Sequence, residues 1–228
     1  MNTTPATSRA PVDRLIESLA SDLKPVRRLA SPLTRALLWL GFILAAGLAL
    51  SPFADLPALE RRLAATPDMW LAVAGSALTA VLAAIAAFKL SLPDSSRTWA
   101  WLPLPAAILW VAASGLGCLR GWLVEETYVP PFGETMECLA IILGLSLPFS
   151  ALLFVMLRQA FPLLPGLTAV IGGLAVAAAA ATLLNLFHPF DAAVLDLLVH
   201  AFAVALVIVI SRLAGERMFR QTELVPQA

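Results

Sequence analysis

Six times along this chain, about twenty residues pass with hardly a charge: 36–53, 69–88, 99–119, 136–157, 166–187 and 192–211. Each run is long enough for a helix, rising ~1.5 Å per residue, to cross a hydrocarbon layer of ~30 Å. The runs are rich in Ala and Leu and lack the two-residue alternation of membrane strands. A helix also satisfies its own backbone hydrogen bonds where there is no water to do so. Composition closes off the soluble alternative. With 60% of its 228 residues hydrophobic and 13% charged, the chain could not cover an aqueous surface without leaving one large apolar patch. The expectation is an all-α polytopic membrane protein. It has a cytoplasmic tail at 1–35, a six-helix transmembrane bundle within 36–213 and a second cytoplasmic tail at 214–228. A polar stretch leads into the first run and no small-residue cleavage site follows it, so a removable signal peptide is not expected.

The basic residues set the sidedness. With the N-terminus inside, twelve of the fifteen fall on inner segments: Arg9, Arg14, Lys24, Arg27, Arg28, Arg35, Lys89, Arg97, Arg158, Arg212, Arg217 and Arg220. Only Arg61, Arg62 and Arg120 fall outside. By the positive-inside rule both termini are expected to be cytoplasmic. Fifteen acidic residues cancel the fifteen basic ones, and no direct contact with nucleic acid is expected. Trp39, Trp70, Trp99, Trp101 and Trp122 sit near helix ends, as interface-anchoring indoles do, whereas Trp110 in mid-helix reads as a packing residue. Gly166, Gly172, Gly173 and the alanines of 177–181 give the fifth helix a surface that neighbours can approach closely. Pro148 should kink the fourth.

Ahead of the first run stands "APVDRLIESLASDL". Pro11 suits a first helical turn, and Leu15, Ile16, Leu19 and Leu23 recur on one helical face, with Asp13, Arg14, Glu17, Ser18 and Asp22 elsewhere. Such a short amphipathic helix is marginal alone in water, so its apolar stripe needs a cover. Two covers fit: the inner leaflet, helped by Lys24, Arg27, Arg28 and Arg35, or a groove on a soluble protein. Lipid-bound helices carry Lys and Arg on their polar face, and here that face carries three acids and one Arg.

A second cluster gathers at the outer ends of the helices. Cys118 closes the third run, Cys138 opens the fourth, His188 follows the fifth, and Asp191, Asp196 and His200 lie before or early in the sixth. Asp196 and His200, four apart, share a helical face, and a carboxylate at such depth usually faces the bundle interior. Three readings stand side by side. Cys118 and Cys138 form a redox-sensing disulfide; or Cys138, His188, Asp196 and His200 hold a metal ion or proton; or these are packing and capping residues. Apart from such a metal, no cofactor is expected. The Asp196–His200 pair also admits a small proton- or metal-linked transporter or channel, although the two halves show no inverted repeat. No H-E-x-x-H, G-x-S-x-G or P-loop motif occurs, which argues against an enzyme.

The stretch "LIESLASDLKPVRRLASPLTRALLWL" resembles the entrance of the NrsF-type membrane anti-sigma factors, in which a Leu-rich cytoplasmic segment and a "PVRRL.SP..RA..WL" signature lead into six transmembrane helices. Pro25, Val26, Arg27, Arg28, Leu29, Pro32, Arg35, Ala36, Trp39 and Leu40 carry the likeness. The segment "ECLAIILGLSLPFSALLFVMLRQAFPLLPGLTAVIGGLAVAAAAATLLNLF" extends it through the fourth and fifth helices. The resemblance implies that the tail sequesters an extracytoplasmic-function (ECF) sigma factor, which directs stress genes. Leu15, Ile16, Leu19 and Leu23 would then be anchors, and Arg27 and Arg28 would answer acidic residues on sigma. It further implies a cysteine opening helix four, matched by Cys138, and another in an "HCP"-like turn after helix five. There this chain departs, with His188 in "FHPFD".

Overall fold

The computed structural model describes residues 9–21, 29–54, 56–65, 67–124, 132–160 and 162–185, with 202, 205–206, 208–210 and 212–213 near the C-terminus. Among these residues all regular structure is helical. A first helix, α1 (Arg9–Ser21), precedes α2 (Pro32–Leu50), and a short turn leads to α3 (Leu56–Ala65). Then come α4 (Pro67–Leu90), α5 (Leu104–Val124), α6 (Phe132–Arg158) and α7 (Pro165–Leu184). Five helices, α2 and α4 to α7, are long and apolar enough to cross a membrane. The sixth run, 192–211, lies largely outside the described residues, and those described within it are helical.

The edges of these helices have local causes. Ser31 caps α2 by accepting a hydrogen bond from Thr34 N at 3.1 Å, and Pro32 follows at a position that needs no donor. The helix therefore starts four residues before the apolar run at 36–53, and Arg35 belongs to its first turn. Pro165 opens α7 in the same way. The turn Arg97–Trp101 precedes α5, which begins at Leu104, between Pro103 and Pro105. Helix α3 falls in what the sequence reads as an outer loop. Pro148 lies inside α6.

The core is built from small residues. Helix α4 packs against α7, α5 and α2, and α6 packs against α7 and, more lightly, α2. Ala80, Ala83, Ala84, Ala86 and Ala87 of α4 share one buried cluster with Ala175 to Ala179 of α7, and Phe88, Phe149 and Leu153 fill it out. Close approach is enforced where a methyl would not fit: a Cβ on Gly75 would stand 2.9 Å from the Trp110 backbone, whereas one on Gly47 would meet only the flexible end of Leu183, at 2.9 Å. Trp110 therefore does pack, as its mid-helix position predicts. Helix α7 is the central one, 72% buried over its apolar window, against 22% for α2. Leu37, Leu44, Leu48, Ile108, Val111 and Leu147 point outward, an apolar girdle suited to lipid.

Cross-helix contacts fix which ends meet. The start of α2 touches the ends of α4 and α6 through Arg35, and Thr168 at the start of α7 donates to the Leu90 carbonyl at 3.3 Å. At the opposite end, Thr182 of α7 lies 3.0 Å from Ser76 near the start of α4. The spans thus alternate in direction, and the N-terminal helix joins the end that carries Arg35.

Candidate partner-binding arm and the arginine behind it

Helix α1 displays Val12, Leu15, Ile16 and Leu19 at the i, i+3, i+4, i+7 spacing of one face. All four are between 54% and 61% exposed, so nothing in the described structure covers that face. Two hydroxyls stay local: Ser18 Oγ donates to the Leu15 carbonyl at 2.9 Å and Ser21 Oγ to the Ser18 carbonyl at 2.8 Å. The structure brings Leu15, Ile16 and Leu19 together as the spacing predicts and adds Val12, which continues the same series one turn earlier. Leu23, Arg27 and Arg28 lie outside the described residues.

Behind the arm, the family-like signature turns inward. Arg35 is 3% exposed and Trp39 fully buried. The expectation that Trp39 anchors at the membrane interface, and that Arg35 adds its charge to the leaflet surface, is corrected here. Trp39 Nε1 donates to the Phe149 carbonyl of α6 at 3.1 Å, and the ring of Phe42 meets Phe149 edge-on with centroids 6.0 Å apart. Trp70 and Trp101, by contrast, are well exposed, as interface indoles should be.

Around Arg35 three helices converge. Its Nη1 donates to Ser91 Oγ at 3.3 Å, while that hydroxyl donates onward to the Phe88 carbonyl at 2.7 Å. Its Nη2 donates to the Met156 carbonyl in the last turn of α6. The guanidinium carbon stands 4.8 Å from the centre of the Phe88 ring. No carboxylate among the described residues pairs with it, and Nε is buried without a partner. What answers the charge is backbone. The last turns of α4 and α6 leave carbonyls unpaired, and each helix C-terminus carries roughly half a negative charge. Beside this knot Lys89 Nζ lies 5.0 Å from the Trp99 ring centre.

The outer cluster is only partly described. Cys118 falls in α5 and Cys138 in the second turn of α6, with side chains outside the described part; His188, Asp191, Asp196 and His200 lie outside it altogether. Among the described residues no group of three metal-ligating side chains gathers. Shallow cavities open on the surface among the described residues. One, of about 340 Å³, is lined by Leu56, Leu59, Leu63 and Trp70; another, of about 440 Å³, by Thr98, Trp99, Trp101 and Pro105. Both are apolar.

The family model NrsF, negative regulator of sigma F, matches residues 19–221. The chain belongs to this family, whose description makes a sigma factor its partner. No curated protein and no solved structure matches it. The match opens at Leu19, in the last turns of α1, and takes in the signature that buries Arg35 and Trp39.

Proposed function

We propose that this NrsF-family chain is an integral-membrane anti-sigma factor that retains an ECF-type sigma factor at the bacterial inner membrane through its N-terminal arm. An envelope-side redox or metal signal releases it. The observation that carries the reading is the uncovered row Val12, Leu15, Ile16 and Leu19, set just ahead of the first span in a family of sigma regulators. A row of four such anchors docks into a groove as other amphipathic helices do, and covering it blocks surfaces that sigma needs for polymerase. Arg27 and Arg28 add steering toward acidic residues on sigma.

Sidedness has its own support. The arm, Lys89, Arg97 and Arg158 all attach to the bundle end that holds Arg35, whereas Arg61 of α3 attaches to the other. Under the positive-inside rule the arm lies in the cytoplasm, where sigma is. A sixth span at 192–211 returns the C-terminus to the same side. Connectivity then carries Cys118, Cys138 and His188 toward the envelope, where thiols oxidise and soft metals bind.

Full-length protein purified from membranes should carry a sigma factor with it. Leu15→Asp with Ile16→Asp should lower that capture at least about 100-fold while membrane content stays unchanged. Undiminished capture by the double variant would remove the arm from the binding site. Cys138→Ser should abolish induction by oxidants or metals, and an unaltered response would remove that thiol from the sensor.

A further inference from the structure

Among the described residues, Arg35 is the one buried ionic side chain, and its position is a poor one by the rules of its own helix. It occupies the first turn of α2, whose N-terminal end is electrically positive and repels a cation. Everything that holds the guanidinium inside belongs to other helices: Ser91 and the Phe88 ring at the end of α4, and the Met156 carbonyl at the end of α6. The buried Nε is left unsatisfied, so the docked state does not use all its donors. One turn away, past Ser31, water and lipid phosphates would take all five. A second arrangement of the same side chain is therefore within reach, which a two-state element requires.

The knot is also well connected. On one side the arm precedes it in the chain, with α1 ending at Ser21 and α2 beginning at Pro32. On the other, α6 is a single helix from Phe132 to Arg158, with Cys138 in its second turn and Met156 in its last. A shift of α6 at its far end would reach the carbonyl that Arg35 holds by way of the turn that contains Pro148.

We propose that Arg35 is the positioning residue through which the bundle governs the arm. Docked between the C-termini of α4 and α6, it defines the sigma-retaining arrangement; withdrawn toward the inner surface, it defines the releasing one. This rests on the function proposed above and names the element that couples the outer cluster to the arm.

The test uses full-length protein in membranes, the sigma factor that the wild type captures, and a sigma-dependent reporter held mid-range by supplying sigma in excess. Arg35→Gln removes the charge and should raise the reporter about 5- to 20-fold, in the range of ordinary coupling between sites. Ser91→Asp gives the guanidinium a carboxylate and should lower the reporter below the wild-type level. Opposite signs are the signature, because residues that merely support the fold would loosen retention together. Both variants raising the reporter, or both leaving it unmoved, would overturn the proposal while wild-type capture keeps the arm reading intact. Should Arg35→Gln fail to accumulate, Ser91→Asp decides alone, and a reporter at or above wild type sinks the latch. A wild type that captures no sigma brings down the arm reading first, and the latch with it.

Discussion

Helices α1 and α2 both carry rows of exposed large apolar side chains, and the two rows ask for different partners. On α1 the row is Val12, Leu15, Ile16 and Leu19, backed by Asp13, Arg14 and Glu17. On α2 it is Leu33, Leu37, Leu44 and Leu48, and the only ionic residue of that helix, Arg35, is turned away and buried. Exposure alone does not separate them. The opposite face does: charges back the stripe of α1 and suit it to water, while α2 lays Trp39, Ile43 and Gly47 against the bundle and turns outward a row of leucines suited to lipid.

The largest effect should come from the face that α1 lacks. Trp39→Ala removes a fully buried indole and its bond to the Phe149 carbonyl, a loss of roughly 3–5 kcal/mol for truncating a buried aromatic. Thermal unfolding in detergent should show a markedly lower midpoint than for Trp101→Ala, whose side chain is mostly exposed. Equal midpoints would mean that α2 is not held by its inner face.

Next in size is the same substitution placed in both rows. Leu44→Asp sets a carboxylate in mid-helix, at about 2.5–3.5 kcal/mol against insertion, and should shift protein out of the membrane fraction. Val12→Asp should leave that fraction as it was and reduce sigma capture. If both variants inserted normally, the leucines of α2 would not be facing hydrocarbon.

Much of this is legible in the chain, and most of what is not depends on contacts between distant segments. Apolar runs and the spacing of Leu15, Ile16 and Leu19 are local signals, written over neighbouring residues. Val12 continues that series three positions before Leu15, and Pro11 beside it draws the eye to a helix start instead. Arg35 and Trp39 read as membrane-surface residues because a cation and an indole near a helix start usually are. What buries them arrives from far along the chain, at Ser91, Phe149 and Met156. No periodicity announces a contact 121 residues away. Helix α3 gives little local signal for a separate reason, being too short and too charged to stand out between two spans.

Conservative truncation gives the smallest effect and the cleanest one, because it changes size without charge. Val12→Ala removes two methyl-sized groups from a side chain that is 54% exposed in the free protein. Each CH₂ buried at an interface is worth ~0.8 kcal/mol, so capture of sigma should weaken by about 1–2 kcal/mol, some 5- to 30-fold, with an unchanged unfolding midpoint. Leu44→Ala trims a side chain that the bundle does not enclose, and should change neither capture nor midpoint by more than about 0.5 kcal/mol. Titrating sigma against the two variants reads this directly. A Val12→Ala protein that binds like the wild type would shorten the docking face to Leu15, Ile16 and Leu19, and so place its start nearer the residues shared with the family.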